Sequence, residues 1–535
     1  MRSLHRIRIA SRVCSALSLG FAATICFGIF AATPPNSKAN ASTTTTEAPP
    51  KLIYRLTYAL ETPNFVHIAI EIPASAQTQQ APLTLIIPRS VPGAYAQRPY
   101  DPFVSNVRAF SASAPHASTN DVVAVERDEL GPRWTIGKHD SPPSSISRIE
   151  YDVDVAKMER DIFSAADTSK IRDGYVGLLG YSIFAFLETR ENASIQLEIQ
   201  APKKWPVFST LAPQMPAAIT TFTAQAANYY ALADSQITLG PKLVVLKNTV
   251  NNSPSAIPLF VSLYTERNSD ITVTAKLARD ALDEVTAYFG AAPFSHYTVV
   301  LEYLNPLSPP HEYNFSMEHL DSGTFFMDVD HAITAASLDT EKESARFNYA
   351  HHIAHSWIPK RCYGAGYLPF NWEMTPVIDT IWFNEGFGRY AAIVALADGL
   401  PKDEAARYRA ARLDRLRDVV VSSPDFLQRM SLDELSREGS FLYSDDFRVG
   451  MNLFARGALM AAEMDDRIRT QTSGQKSLRD ALRYLIAWTT QNRRAFRTDE
   501  LSEIFRQATG VDVSSILNSR IKPLHPAPEN PAPLH

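Results

Sequence analysis

The chain has 535 residues, of which 45% are apolar and 20% are charged, a composition typical of folded rather than disordered proteins. Its net charge of −5 and its pI near 6.2 give no basic surface for nucleic acid, so we expect no nucleic-acid partner. The length favours two or three domains.

The N-terminus has the parts of a targeting segment. Several arginines precede an apolar run from about Cys14 to Ala32, and Ala39-Asn40-Ala41 supplies a small-x-small cleavage site. We predict a signal peptide over 1–41, a Pro-, Ser- and Thr-rich linker over 42–50, and export to the periplasm or the extracellular space. The alternative is an uncleaved membrane anchor, because the run approaches the ~20 residues that span a bilayer. The membrane is a partner only in that case.

Cysteine usage limits the chemistry of the exported part. Cys14 and Cys26 lie in the targeting segment, which leaves Cys362 alone after it. Lipid attachment at Cys26 is disfavoured because bulky Ile25 stands where a small residue is expected. An intramolecular disulfide and a thiolate zinc site are therefore excluded in the mature chain, and a lone Cys362 is more often structural than nucleophilic.

Strand patterns fill residues 51–260. A β-branched apolar run covers 65–72, and apolar and polar residues alternate over 195–200. Turn signals such as Val91-Pro92-Gly93 separate these runs. The segment 174–180 is glycine-rich but lacks the Lys-Ser/Thr ending of a phosphate-binding loop, so a turn is predicted there. An N-terminal antiparallel β domain over 51–260 follows from this pattern.

The pattern changes to a mixture of helices and strands after residue 260. Helical spacing over 278–289 stops at Gly290, short strands are predicted over 297–304 and 324–329, and Thr340 with Glu343 predicts a capping box at the start of a helix. A second helix is predicted around 378–397. Helical patterns alone follow, over about 402–420, 448–465, 476–490 and 498–508, the last closed by Gly510. The expected fold is multidomain α+β, with an α/β domain over 261–400, an α-helical domain over 401–521 and a disordered tail over 522–535.

The helix that begins near residue 340 carries the most informative motif. His351 and His355 are four residues apart and therefore point to the same side of a helix. Glu385, on the next predicted helix, completes a His, His, Glu set of the kind that holds zinc in hydrolases. In the usual H-E-x-x-H motif the second residue is the general base, but here it is His352. An isolated histidine pair is more often a core or surface feature, so the case rests on the additional residues.

Those residues resemble the glycyl aminopeptidase family of zinc peptidases, which have a thermolysin-like catalytic core. The segment 351–357 matches the family's H-E-x-x-H-[ST]-W motif except at His352, and Glu385 matches its W-x-x-E-G segment. Ser316-Met317-Glu318-His319 is similar to the family's Gly-Leu-Glu-His segment, and the segment 90–95 is similar to its W-x-P-G-S-Y turn. The resemblance covers about 50–522, but the PDZ domain usual in the family has no counterpart after residue 400.

The resemblance implies a role for each matched residue. His351, His355 and Glu385 would bind zinc, and Glu318 would hold the free amine of a peptide through a carboxylate–ammonium pair. A solvated carboxylate at the end of a strand is the alternative for Glu318. The expected partners are peptide or protein N-termini.

Two departures from the family weaken the expected catalysis. His352 replaces the general base, which typically contributes 10²–10⁴-fold; the histidine either accepts the proton itself or sits against the metal. Phe454 falls where the family has a tyrosine that stabilises the oxyanion, and loss of one such donor costs on the order of 10²–10³ in rate. Tyr443, in the preceding loop, is a further candidate for that donor.

Three functions remain open from the sequence. The preferred one is an exported zinc-site protein that binds peptide N-termini with hydrolysis lost or weakened. The second is an active aminopeptidase that releases small N-terminal residues such as glycine or alanine. The third is a structural or binding protein without metal. The sequence has no G-x-S-x-G nucleophile motif that would indicate a serine hydrolase.

Overall fold

Strands dominate the first half of the chain in the computed structural model, which describes residues 51–74, 82–111, 122–137, 146–162, 168–217, 221–248, 257–309 and 311–521. The predicted targeting segment, linker and tail lie outside the described residues. In chain order the strands are β1 (Lys51–Thr57), β2 (Phe65–Glu71), β3 (Leu83–Ile86), β4 (Val104–Ser111), β5 (Val122–Val123), β6 (Val125–Arg127), β7 (Arg133–Ile136), β8 (Ile146–Asp154), β9 (Lys170–Arg172), β10 (Tyr175–Leu179), β11 (Phe186–Leu187), β12 (Ser194–Gln200), β13 (Val207–Ser209), β14 (Thr221–Ala226) and β15 (Gln236–Leu239). Short helices connect some of them, namely α1 (Val155–Asp161), α2 (Gly180–Ile183) and α3 (Tyr229–Ala233).

These strands form one large sheet and two smaller ones. The large sheet has the order β14-β12-β1-β2-β8-β4-β5, and the smaller ones have the orders β13-β15-β10-β9 and β11-β3-β7-β6. Alternation along β12 buries Ile195, Leu197 and Ile199 and leaves the residues between them partly exposed. The strands predicted over 65–72 and 195–200 are thus confirmed. Pairing is antiparallel except between β1 and β12, which run parallel.

The next part of the chain builds a mixed sheet covered by helices. Its elements are β16 (Val244–Asn248), β17 (Leu259–Thr265), α4 (Ile271–Phe289), β18 (Tyr297–Leu304), β19 (Asn314–Glu318), β20 (Ser322–Asp328), α5 (Asp339–His355) and α6 (Ile381–Asp398). The sheet order is β16-β17-β18-β20-β19, with parallel pairing inside and an antiparallel strand at each edge. The predicted stop of α4 at Gly290 is confirmed, because that residue has φ +101°.

Helices fill the last part of the chain. They are α7 (Lys402–Ser422), α8 (Asp425–Arg429), α9 (Leu432–Leu442), α10 (Phe447–Gln471), α11 (Leu478–Asn492), α12 (Thr498–Thr509) and α13 (Ser514–Ile521). The four helices predicted here are confirmed, as is the end of α12 at Gly510, with φ +79°. Helices α8, α9 and α13 were not predicted. The start of α9 has a clear signal, since Ser431 and Glu434 form a capping box.

Two local predictions were wrong. Helix α5 begins at Asp339, and Glu341 caps its first turn, because its Oε2 accepts the Leu338 backbone N–H at 2.8 Å. Thr340 and Glu343 form no capping box. The segment 174–180 is not a turn, because strand β10 occupies most of it. A glycine is needed inside that strand because a Cβ at Gly177 would lie 2.2 Å from a buried carboxylate oxygen.

The predicted α+β class, with strands first and helices last, is confirmed. All described residues fall into one compact unit, so the boundaries near 260 and 400 stay predictions. Helices α6 and α10 cross where Gly386 meets Gly457, and this crossing brings α10 close to the metal motif. In the described part of the chain, every helix is too short or too polar to cross a membrane.

Candidate metal centre

The two predicted histidine ligands and the predicted carboxylate ligand meet between α5 and α6. The Nε2 atoms of His351 and His355 are 3.2 Å apart, and they lie 3.6 and 3.4 Å from Glu385 Oε2. All three side chains are buried. Among the described residues they are the one set of three or more His, Cys, Asp or Glu side chains whose ligand atoms converge in this way.

The geometry of these three donors fits a zinc ion. Zinc bonds of about 2.0–2.1 Å in a tetrahedral arrangement place neighbouring donor atoms roughly 3.3–3.4 Å apart. The measured separations of 3.2, 3.4 and 3.6 Å lie around that value. Two imidazoles and a carboxylate also leave a fourth position for water or substrate. The predicted convergence of His351, His355 and Glu385 is therefore confirmed, while zinc binding itself stays a prediction.

The contacts behind the ligands differ between the two histidines. His355 donates its Nδ1–H to the Ile358 carbonyl at 2.7 Å, which leaves Nε2 as the metal-facing donor atom. Gly388 makes room for this ring, because a Cβ there would lie 3.1 Å from His355 Cε1. His351 Nδ1 is buried and has no hydrogen-bond partner among the described residues. The orientation of His355 is therefore the better fixed of the two.

The surroundings of the triad also shift the pKa values of the two histidines in opposite directions. Burial lowers the pKa of His351 well below its usual value, and the nearby rings of His355 and His352 lower it more. Burial also lowers the pKa of His355, but the charges of Glu318 and Glu385 outweigh burial and raise it to about 9. In the metal-free protein an imidazolium at His355 thus faces two carboxylates, and a divalent cation would take its place electrostatically.

His352 lies at the site but differs from an ordinary general base. Its Nδ1 is 2.9 Å from the Asn348 carbonyl oxygen, which only accepts hydrogen bonds, so Nδ1 carries the proton and Nε2 keeps its lone pair. The ring packs against Phe325 at 5.3 Å and against His351 at 5.0 Å. Burial, with the charge of His355, lowers the pKa of His352 to about 4. His352 is therefore neutral at physiological pH and a weak proton acceptor.

Glu318, the predicted amine-binding residue, is buried at the end of β19, beside the triad. Its side chain is 4% exposed, and its Oε1 has no hydrogen-bond partner in the described part of the chain. Gly93 covers it from the N-terminal β domain, since a Cβ at Gly93 would lie 2.6 Å from Oε1. Gly93 also has φ +104°, so a glycine is favoured there for two reasons. The alternative of a solvated carboxylate is wrong, because the side chain is not exposed.

Phe454 also lies at the site, on α10, with its ring 5.3 Å from that of His351. A phenyl ring brings no hydroxyl to this position. Tyr443 packs beside it, at 5.8 Å from Phe454 and 5.2 Å from Tyr95. Gly450 provides the space, because a Cβ there would lie 3.0 Å from the Tyr443 ring. Tyr443, the further candidate for the oxyanion donor, therefore lies beside Phe454, where the family has its tyrosine.

Sequence reasoning gave no role to Tyr95 and Asn384, although the structure brings both to the site. Asn384 Nδ2 donates to the Tyr95 hydroxyl at 3.0 Å, and burial together with the charges of Glu385 and Glu318 raises the pKa of Tyr95 well above its usual value. Tyr95 has φ +46°, an unusual backbone conformation in the turn that follows Gly93. The sequence signal for Tyr95 was the similarity of the segment 90–95 to the family's W-x-P-G-S-Y turn.

A buried charge network next to Glu318 was also missed. Lys360 Nζ is 3.1 Å from Asp234 Oδ1 and 3.2 Å from the Pro92 carbonyl. Asp234 also contacts His319 Nδ1 at 3.1 Å and accepts the Leu320 backbone N–H at 2.6 Å. These residues come from four distant parts of the sequence, so no local motif could indicate the network. It fixes the backbone on both sides of the Glu318 pocket.

Comparison with known proteins agrees with this architecture. Residues 54–241 match the family model of the Peptidase M61 N-terminal domain. No curated protein matches the chain. Among solved structures, an aminopeptidase N family protein from Idiomarina loihiensis is similar, with a TM-score of 0.73 and 17% identity over 89% of this chain and 76% of that one. An M1 zinc metallopeptidase from Deinococcus radiodurans has a TM-score of 0.51 and 13% identity over 90% of this chain and 95% of that one.

These similarities establish the fold of the chain. It is that of aminopeptidase-like metallopeptidases, as the sequence predicted, and the matched N-terminal model agrees with a metallopeptidase-like family. The low identities carry no statement about which residues act or on which substrate.

Proposed function

We propose that this chain is an exported zinc-binding protein of glycyl aminopeptidase type that holds peptide N-termini, with hydrolysis lost or greatly weakened. One observation carries the proposal: Glu318 Oε1 is buried without a hydrogen-bond partner in the described fold, beside a triad suited to zinc. A buried carboxylate oxygen without a partner is costly. The α-ammonium of a peptide is a counter-ion that satisfies this oxygen.

Separate residues of the chain bind the peptide amine and the metal in this proposal. Glu318 holds the amine, and the turn at Gly93 closes the pocket behind it, so only the first peptide bond reaches the triad. His351, His355 and Glu385 would hold the metal. When bound, zinc polarises a substrate carbonyl and lowers the pKa of a bound water molecule.

Two residues support the proposed weakness in hydrolysis. His352 is neutral and its pKa is low, so it takes up a proton poorly where a general base is needed. Phe454 offers no hydrogen bond to a developing oxyanion. Losses at residues that act as a unit are not simply multiplied, but either one is large.

A slow but genuine aminopeptidase is the second candidate, and one arrangement favours it. The Nδ1–H bond of His352 to Asn348 leaves its Nε2 able to accept a proton, and Tyr443 places a phenol beside Phe454. Both missing groups would then have substitutes, although neither has the family's geometry.

Binding measurements test the preferred function. We expect stoichiometric zinc by elemental analysis, and calorimetric titration with Gly-Ala and N-acetyl-Gly-Ala should show binding of the free amine only. Glu318→Gln should abolish this preference, whereas Glu312→Gln, which changes an exposed acid near the same strand, should not. Equal binding of both peptides would contradict the amine-holding role. Absence of zinc would leave only a metal-free binding protein.

Turnover separates the two candidates. Release of glycine or alanine from their arylamides should be negligible for the preferred function. Activity that is lost in Glu385→Ala and in His352→Ala would establish the second candidate. Activity that survives in His352→Ala would contradict both an inert site and a base role for His352.

Export is tested separately, because it depends on residues 1–41 alone. Cell fractionation with N-terminal sequencing of the mature protein should find a new N-terminus near residue 42. An intact N-terminus in the membrane fraction would favour the uncleaved anchor.

A further inference from the structure

Arg389 is a cation near the candidate metal centre that forms no salt bridge in the described part of the chain. It lies on α6 four residues after Glu385, and residues four apart share one face of a helix. The side chain is half-buried, its buried Nε has no hydrogen-bond partner, and no carboxylate pairs with it in the described part of the chain. Burial lowers the pKa of this guanidinium to about 10, so it stays charged at neutral pH.

Two aromatic rings place the guanidinium beside the triad. Its central carbon is 5.1 Å from the ring centre of Phe347 and 5.0 Å from that of Phe454. Phe347 precedes His351 by one helical turn, and the Phe454 ring is 5.3 Å from the His351 ring. Arg389 therefore lies about one helical turn from the metal ligands along the α5–α6 pair. Aromatic faces attract a cation, but they do not neutralise its charge.

A neighbouring arginine, Arg412, forms an ion pair with an acid of the chain. Arg412 also stacks on Phe347, with its guanidinium carbon 4.3 Å from the ring centre. It pairs with Glu343, at 2.9 Å. Two arginines thus share one ring, and of the two only Arg412 forms a salt bridge within the described residues. The charge of Arg389 remains available to a ligand.

Glu318 and Arg389 come to the site from different elements. Glu318 lies at the end of β19, where Gly93 covers its carboxylate. The Arg389 guanidinium extends from α6 and lies on the rings of Phe347 and Phe454, one helical turn before His351 along α5. The anion and the cation are therefore separate groups of one site.

We propose that this cleft takes di- and tripeptides with both termini free, the α-ammonium on Glu318 and the α-carboxylate on Arg389. This inference rests on the proposed function, because it uses the same amine pocket. One helical turn is about 5.4 Å and one extended residue spans about 3.3–3.6 Å. A carboxylate one or two residues beyond the peptide bond at the triad therefore reaches Arg389. Guanidinium and carboxylate also match in geometry, since they can form two parallel hydrogen bonds.

Calorimetric titration of the zinc-loaded full chain tests this assignment without relying on turnover. The probes are Gly-Ala, Gly-Ala amide and N-acetyl-Gly-Ala, each checked for integrity after the titration. Wild-type protein should bind Gly-Ala ~10- to 100-fold more tightly than its amide, the range expected for a charged hydrogen bond. Arg389→Gln should bind the two equally, Arg389→Lys should keep part of the preference, and the matched control Arg412→Gln should keep all of it.

The outcomes distinguish this inference from the function on which it rests. Equal binding of Gly-Ala and its amide by the wild type would overturn the role of Arg389, even while the preference for a free amine persists. An unchanged carboxylate preference in Arg389→Gln would do the same. Loss of the free-amine preference in the wild type would instead mean that the proposed function has failed.

Discussion

The Tyr95 hydroxyl accepts a hydrogen bond from Asn384 at 3.0 Å, which ties a turn of the N-terminal β domain to the helix of the candidate metal ligand. Glu385 is the next residue on that helix, and after burial its charge raises the pKa of the Tyr95 phenol further. Ser444 donates to the Ala94 carbonyl at 2.7 Å and holds a second loop against the turn. The turn of helix that carries the third ligand is thus tied to a segment almost 300 positions earlier in the chain.

Tyr95→Phe should weaken zinc binding because it removes the hydroxyl that holds Asn384, the residue next to Glu385 on α6. Outer contacts of metal ligands are typically worth about 10- to 100-fold in affinity, so we expect a dissociation constant at least tenfold higher by competition with a chromogenic chelator. Tyr443→Phe is the control, since it removes a phenol from the adjacent ring that makes no hydrogen bond to Asn384 in the described structure. Equal affinities of wild type and Tyr95→Phe would show that Glu385 needs no such support.

Restoring the general base at position 352 and the oxyanion donor at position 454 should create or strengthen hydrolysis. His352→Glu combined with Phe454→Tyr places a carboxylate and a phenol where the resembled family has them. We expect a gain of about 10²–10⁴ in kcat for glycyl and alanyl arylamides, below the product of the single gains. His352→Gln with Phe454→Tyr is the control, because glutamine keeps the size and lacks the basicity. A zinc-loaded double variant that stays inert would show that further parts of the machinery have changed.

The crossing of α6 and α10 should tolerate no side chain. A Cβ at Gly386 would lie 2.4 Å from the Gly457 backbone, so Gly386→Ala must push two buried helices apart. Overpacking of this kind costs about 1–3 kcal/mol, and we expect a loss near the upper end in urea-induced unfolding. Gly474→Ala is the control: nothing lies within 4 Å there, and only its φ of +78° opposes a side chain, at a cost of roughly 1–2 kcal/mol. A larger loss at Gly474 would contradict the packing argument.

The order of strands and helices and the metal triad were predictable because both are local patterns. The alternation of Ile195, Leu197 and Ile199 gave a strand, and His351 with His355 gave one face of a helix. Contacts made by distant segments were not predictable. Nothing near Lys360 in the sequence indicates that it pairs with Asp234, and only the fold shows that Arg389 lacks an acid of its own. The predicted helix start was wrong because Glu343 contacts Tyr408 and Arg412, from a distant helix, while Glu341 accepts the Leu338 backbone N–H.

Lys360 and Asp234 provide a pH-dependent test of the buried network. Burial raises the pKa of Asp234, but the charges of Lys360 and His319 outweigh burial and lower it below the usual value. A lowered carboxylate pKa means that the pair stabilises the fold above the unfolded-state pKa of about 4, and that this contribution is lost as the pH falls through the folded-state pKa. Lys360→Met should therefore cost about 3–5 kcal/mol of unfolding free energy at pH 7, because Asp234 stays buried without its cation.

The cost of Lys360→Met should become smaller on acidification. Without the lysine, burial keeps the pKa of Asp234 high, so the carboxylate of the variant takes up a proton as the pH falls from 7 towards 4. The double variant Lys360→Met with Asp234→Asn should recover much of the loss at pH 7, since it removes the uncompensated charge. Chemical denaturation of the wild type, Lys360→Met and the double variant at several pH values measures these free energies. A cost that neither changes with pH nor falls in the double variant would mean that Lys360 acts through its hydrogen bond to Pro92 and not through its charge.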